Sequence, residues 1–379
     1  MNTLQRVLLA RVVLAASVLF CNPASASPYF QTNLVSDVPG LAQLTDPGLR
    51  NPWGMSFSAT SPFWVSDQGT NTSTLYRVVN GVVTKVGLTV SIPTTAGGPQ
   101  GPTGQVNNNT TAFLVNGTPA NFIFANLNGT ISAWNGSAGT TAQIKVPAAG
   151  AVYTGLAIGT GALGPMLYAA NGVTGAIDVF DGSFSKVLAG SFAKPGDVPA
   201  GLAPFNVQNI GGLIYVTYAP PGRAAQISAV EGQGAVAIFD TNGTLIKTLV
   251  TGSKLASPWG ITLAPSGFGG FSGDLLIGNF SFAVAEINAF DPITGAYVGT
   301  IADQGGHALI NSGLWGLAFG NGVTGDARTL YFTAGINGEL NGLFGSITAI
   351  PEPETLGLFA LGLAALVQRL SRRGRRSGA

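Results

Sequence analysis

One unit of sequence recurs six times along this chain, and no other feature restricts the fold so tightly. Its clearest copy, Ser257 to Gly295, holds three short apolar runs separated by Gly, Pro, Ser and Asn. The first run follows Pro258-Trp259-Gly260, the second ends in Gly278-Asn279, and the third closes on Asp291-Pro292-Ile293-Thr294-Gly295. Pro fixes φ and Gly tolerates a positive φ, so that last segment reads as a turn. Runs of four or five residues have the length of strands and are too short for an ordinary helix.

The marks of the unit repeat in order. A glycine opens the first run at Gly54, Gly104, Gly155, Gly201, Gly260 and Gly316, with steps of 50, 51, 46, 59 and 56 residues. The second runs are Phe63 to Asp67, Phe122 to Asn126, Leu167 to Asn171, Leu213 to Thr217, Leu275 to Asn279 and Leu330 to Ala334. An aromatic precedes the last turn at Tyr76, Trp134, Phe180, Phe239, Phe290 and Phe344. Six copies of a three-to-four-strand unit predict an all-β chain folded as a six-bladed β-propeller with four-stranded blades. A β-sandwich or β-solenoid with an accidental period is the alternative. No stretch between units reads as a linker, so residues 27–350 are expected to form one domain.

The chain has 55 Gly and 22 Pro, and charged residues make up only 9% of it. Between Ser27 and Ile350, ten Lys or Arg face fourteen Asp or Glu, a net of −4. That balance supplies no basic footprint for nucleic acid.

Both ends carry address signals. Arg6 and Arg11 precede the apolar run Val12 to Phe20, and small residues follow at Ala24, Ser25 and Ala26. Residues 1–26 therefore read as a secretory signal peptide, removed by signal peptidase just after Ala26. Cys21, the single cysteine, falls within that segment, and bulky Phe20 before it argues against a lipoprotein signal. The mature chain would then contain no thiol, which excludes disulfide, cysteine-nucleophile and Cys-zinc chemistry.

At the other end, residues 351–379 combine Pro351-Glu352-Pro353, the twelve-residue apolar segment Leu356 to Val367, and a cluster of Arg369, Arg372, Arg373, Arg375 and Arg376. This order closely resembles the PEP-CTERM sorting signal of Gram-negative exosortase systems. The resemblance implies a short transmembrane helix that holds the protein briefly at the inner membrane. Exosortase would then cut near Pro351-Glu352-Pro353 and free the domain for the cell surface or the medium.

The blade openings Asn51-Pro52-Trp53-Gly54, Gly101-Pro102-Thr103-Gly104, Ser257-Pro258-Trp259-Gly260 and Gly313-Leu314-Trp315-Gly316 resemble those of a family of secreted bacterial proteins of uncharacterised function. So do Phe63-Trp64-Val65-Ser66-Asp67, Pro204 to Ile210 and Tyr331 to Gly335. The resemblance, which spans about Pro28 to Ile347, implies an NHL-like six-bladed propeller. Two stretches depart from the family pattern: Ser281 to Glu286, and the blade-four insertion Pro220 to Gly234.

Propellers place ligands at the mouth of the central channel, where loops and strand ends converge. Asp67, Asn126, Asn171 and Asn279 end the second run in four blades and could form an oxygen-rich ring. Calcium accepts such oxygens, and the resemblance brings in related propeller lactonases that use a metal of this kind. The same residues could instead end their strands in Asx-turns. Asn206 and Gln208 alternate on one side of a strand, either lining the channel for a ligand or bridging blades. His307, the single histidine, follows Asp303-Gln304-Gly305-Gly306 in a loop and has no oriented partner in any motif. Trp53, Trp259 and Trp315 share the blade-opening position and are expected to act as core wedges between blades.

Two functions remain open at this point. One is a non-enzymatic exported module that binds exopolysaccharide or a surface protein. The other is a calcium-assisted hydrolase or lactonase at the channel mouth.

Overall fold

Alternating short strands and tight turns build six antiparallel sheets arranged in a ring, as the repeat predicts. The computed structural model describes residues 28–187 and 192–351. Each blade runs from an inner strand at the axis to an outer strand at the rim. The inner strands are Pro52–Ser56, Pro102–Asn107, Tyr153–Gly161, Ala203–Ile210, Pro258–Leu263 and Leu314–Phe319. Each packs beside the next, and the sixth packs beside the first, so the ring is closed.

All six second runs lie in second strands, and all six marked aromatics lie in third strands. Blade one shows how the sequence makes its turns. Its third strand, Thr72–Val79, joins its fourth, Val82–Ser91, through Asn80 and Gly81 at φ 51° and 78°. Two consecutive positive φ values suit a tight hairpin, and Asn-Gly is the pair that adopts them most readily.

The lead-in, in which the sequence shows no period, closes the ring. Tyr29–Ser36 pairs antiparallel with Leu343–Ala349 and so becomes the outer strand of blade six, flanked by the short strand Leu44–Thr45. The two ends of the ring meet there, and Ile350 N–H donates to Pro28 O at 2.8 Å.

Burial follows this geometry. Six apolar clusters lie one at each blade-to-blade interface, and a seventh lies on the axis. Trp64 and Trp134 belong to the interface between blades one and two.

The inner strands approach so closely that most openings admit only glycine. A Cβ on Gly104 would sit 2.3 Å from Leu156 N, and one on Gly260 would sit 2.3 Å from Trp315 O. Blade four differs from the expected spacing. Gly201 precedes the strand, and a Cβ there would meet nothing within 4 Å. Asn206 takes the inner position instead, and its side chain occupies the space beside Gly155. The phase of two other marks also moves. Phe63 pairs with Tyr76, but the matching residues are Ile214 with Phe239 in blade four and Leu330 with Ile347 in blade six.

Candidate site at the channel mouth

Every inner strand shifts register near its start, and one equivalent residue in each blade is left out of the pairing there. The six equivalent residues are Trp53, Thr103, Thr154, Phe205, Trp259 and Trp315. Four are large aromatics, from blades four, five, six and one, and with Phe280 they make the axial cluster. Trp53 stacks on Trp315 with centroids 3.5 Å apart, and Phe280 also stacks on Trp315 at 4.1 Å. Trp259 meets both tryptophans edge-on at 6.2 and 5.5 Å. The tryptophans are thus buried as expected, but they fill the axis rather than wedge adjacent blades apart. Trp259 also spans the ring, and its Nε1–H donates to Thr154 O in blade three at 2.9 Å.

Blades two and three contribute only threonine to this ring, so space remains on their side. A pocket of about 420 Å³ opens there, at the end of the channel where the inner strands begin. Its walls include Leu127, Val152, Thr154, Ala203 and Phe205, with Trp53 toward the axis. The volume falls in the range of small-molecule sites.

One rim of the pocket comes from the blade-four insertion. Pro220 and Pro221 end the strand Leu213–Ala219, and the short helix Arg223–Ile227 follows. The other divergent stretch holds this helix in place. Phe282 N–H donates to Ile227 O at 3.0 Å, and Ser281 Oγ donates to Ala229 O at 2.5 Å. The two stretches that depart from the family pattern therefore build one structure.

That structure carries Arg223 over the aromatic cluster. Its guanidinium carbon lies 4.0 Å from the Phe280 centroid, 4.7 Å from Trp315 and 5.2 Å from Trp53. Arg223 Nε donates to Glu339 Oε2 at 2.9 Å, and Nη2 donates to Oε1. The pair joins the blade-four insertion to the loop after the second strand of blade six. Burial lowers the Arg223 pKa from its usual value, and Glu339 opposes that shift. Glu339 itself sits at φ 67°, a left-handed conformation uncommon for a non-glycine residue.

The candidate oxygen ligands do not face this pocket. Asp67 is fully buried, and its Oδ2 accepts from Thr74 N–H at 3.0 Å and Thr74 Oγ at 2.8 Å. Burial pushes its pKa well above the usual carboxylate range, with a further rise from Asp46, while Thr74 pulls it down. Asn126 Nδ2 donates to Thr130 Oγ1 at 3.0 Å, and Asn171 Nδ2 donates to Asp178 Oδ2 at 3.0 Å. Asn279 Nδ2 donates to Lys254 O at 2.9 Å, while its Oδ1 accepts from Ala256 N–H at 2.9 Å. Each of the four is thus engaged with its own blade or the loop leading into it. Among the described residues no group of three or more His, Cys, Asp or Glu is placed to hold a metal ion.

Asn206 and Gln208 separate. Asn206 is buried and donates through Nδ2 to Trp259 O at 2.8 Å, bridging blades four and five. Gln208 is exposed and lines the opposite mouth, a cavity of about 630 Å³. His307 stands on an exposed loop, with Nδ1 3.4 Å from Asp303. Of the sorting motif, Pro351 is exposed, and Glu352 and Pro353 lie outside the described residues. Leu356 to Val367 lies outside them as well, and among the described residues no helix is long and apolar enough to cross a membrane. Arg223 and Glu339 escaped the sequence reading because neither belongs to the repeat.

Fold and tail together define a six-bladed propeller bearing a C-terminal sorting signal. Residues 349–376 match the PEP-CTERM protein-sorting motif, which indicates export with exosortase processing. The chain belongs to the family that includes uncharacterized protein R648 of Acanthamoeba polyphaga mimivirus. It is 32% identical to that protein over 329 residues, covering 83% of this chain and 78% of the relative. Uncharacterized protein L690 of the same virus is 28% identical over 328 residues, covering 83% of this chain and 84% of that protein. These relatives are viral, and they do not identify the secreted bacterial NHL-like family. Among solved structures, a streptogramin B lyase superposes with a TM-score of 0.51 at 12% identity, covering 86% of this chain and 98% of that one. That likeness concerns the fold alone.

Proposed function

We propose that this protein is an exported binding module that holds a small ligand at the channel mouth bounded by Arg223 and Glu339. The observation that carries the reading is a preformed pocket of about 420 Å³ whose ionisable wall residues, among those described, are Arg223 and Glu339, paired with each other. A general base or nucleophile needs a free partner group, and this pairing leaves none in the pocket. In this reading residues 1–26 direct export and are removed. Leu356 to Val367 anchors the chain briefly at the inner membrane, and exosortase releases the domain to the surface. There it associates with exopolysaccharide or a surface protein as an NHL-like module.

The test is native and denaturing mass spectrometry on processed protein from an exosortase-bearing host, with elemental analysis for calcium. A small molecule lost on denaturation, without calcium, is the expected result. A native mass that exceeds the denatured mass by one tightly held calcium per chain and nothing else would overturn the binding module in favour of a metal-assisted hydrolase.

A further inference from the structure

The two ends of the channel differ in chemistry. Trp53, Trp259 and Trp315 fill the axis at one end. Beyond them lies a cavity of about 40 Å³ walled by Gly54, Gly104, Gly260 and Trp259, with space for no more than a few waters. Gln208 lines both that cavity and the wider opening of about 630 Å³ at the far end. A ligand at the far mouth is therefore separated from the Arg223 pocket by packed aromatic rings.

Among the described residues no Lys, Arg, His, Asp or Glu lines the far mouth. A charged ligand would lose water there without gaining a counter-charge. The mouth is not apolar either. Asn109, Thr160 and Gln208 are exposed, Thr241 is half-buried, and their side chains make no hydrogen bond within the described residues. They come from blades two, three and four, so three sheets converge on one opening. Neighbouring amides are already committed. Asn209 Nδ2 donates to Ile158 O at 2.8 Å, and its Oδ1 accepts from Gly212 N–H at 3.0 Å. Asn107 Nδ2 donates to Asn121 O at 2.9 Å. The idle side chains thus stand on a wall that those bonds hold in shape. Phe57, half-buried and edge-on to Phe63 at 5.0 Å, adds apolar surface together with Ile158.

Amide and hydroxyl side chains each offer a donor and an acceptor. A sugar ring offers both from every free hydroxyl, with a C–H face between. Going beyond the reading above, we propose that the far mouth is a second site, which binds a neutral carbohydrate chain. Asn109 and Gln208 take its hydroxyls with help from Thr160 and Thr241, while Phe57 and Ile158 cover a C–H face. A peptide would need apolar pockets for its side chains or an open sheet edge for its backbone, whereas the apolar residues here are dispersed among polar ones.

The full chain is titrated by calorimetry with neutral trisaccharides: maltotriose, cellotriose, laminaritriose and mannotriose. Trigalacturonate and the glucosamine trimer are the charged counterparts, and blocked trialanine is the peptide. A neutral trisaccharide should bind, and both charged trimers should bind about tenfold more weakly or worse. Asn109→Ala with Gln208→Ala removes two hydrogen-bonding groups at exposed positions and should weaken that binding by about tenfold; its thermal melt checks that it folds. Gln208→Glu gives the wall a carboxylate and should raise affinity for the glucosamine trimer.

Charged trimers that bind as tightly as the neutral ones would refute selection by an uncharged wall. Neutral binding that survives in the double variant would place the sugar elsewhere, and tighter binding of trialanine would make the mouth a peptide site; either overturns the proposal. So does failure of every neutral trisaccharide to bind. None of these results bears on the Arg223 pocket, whose ligand is read separately by the mass measurement above.

Discussion

Replacing Gly260 by Ala tests the ring geometry most directly, because the added atom has a known address. The new Cβ would stand 2.3 Å from Trp315 O and 2.7 Å from Leu317 Cγ. The first contact is with backbone of the next inner strand, so no rotamer change can relieve it. Overpacking of this kind costs about 1–3 kcal/mol, and a rigid backbone neighbour puts Gly260→Ala at the upper end. Gly201→Ala is the control. Its Cβ meets nothing within 4 Å and its φ is not positive, so reduced freedom of the unfolded chain should leave it neutral or more stable by about 0.4–1 kcal/mol. In thermal melts of the exported domain, Gly260→Ala should lower Tm by about 3–5 °C for a domain of this size, and Gly201→Ala should not lower it. Equal effects from the two substitutions would refute the assignment of Asn206, rather than Gly201, to the inner position of blade four.

Trp259→Ala removes a fully packed indole and its bond to Thr154 O, and should cost about 3–5 kcal/mol in denaturant melts; a loss below about 1 kcal/mol would show the axis to be loosely filled. Asp67→Asn should stabilise the domain increasingly as pH rises. Because burial raises the folded pKa of Asp67, the native state holds a proton that the unfolded chain releases above about pH 4. Its contribution is therefore full at low pH and lost as pH rises toward the folded pKa. A gap in denaturation midpoint between variant and parent that does not widen with pH would contradict this. The same variant tests calcium, since a thermal shift on adding calcium that vanishes in Asp67→Asn would make Asp67 a ligand. Intact mass of protein from an exosortase-bearing host should show a product starting near Ser27 and ending near Pro351, whereas one still ending at Ala379 would sink the processing scheme.

The fold was legible because the repeat is written in backbone constraints. Gly104 and Gly260 are fixed by a neighbouring strand that leaves no room for a Cβ. Blade four hid its phase for a physical reason: Asn206 replaces the glycine and turns the close approach into a hydrogen bond to Trp259 O. The outer strand of blade six was illegible because its pairing partner lies more than 300 residues away, beyond any local period. At the proposed site, the oxygen-bearing residues that the sequence singled out do not line the pocket. Asp67, Asn126, Asn171 and Asn279 do repeat, yet their repetition serves each sheet, through Thr74, Thr130, Asp178 and the Lys254 loop. The pocket instead depends on residues that break the repeat, Arg223 on an insertion and Glu339 on a strained loop.

That contrast extends to the ring of six side chains around the axis, where size alone decides which side of the channel is open. Trp315, Trp53, Trp259 and Phe205 close their side, and Thr154 lines the space left open beside blade three. Thr154→Phe should therefore put a ring into existing space, with its backbone carbonyl still accepting from Trp259 Nε1. A side chain added to a void should cost less than about 1.5 kcal/mol while abolishing binding of any ligand at this mouth. Thr154→Val, close to threonine in size, should leave binding intact. If Thr154→Phe instead destabilises the domain as much as Gly260→Ala does, the space beside blade three is not there, and the asymmetry of the ring does not make the site. If the variant folds well and binding persists, the ligand sits elsewhere and the small residues of blades two and three need another explanation.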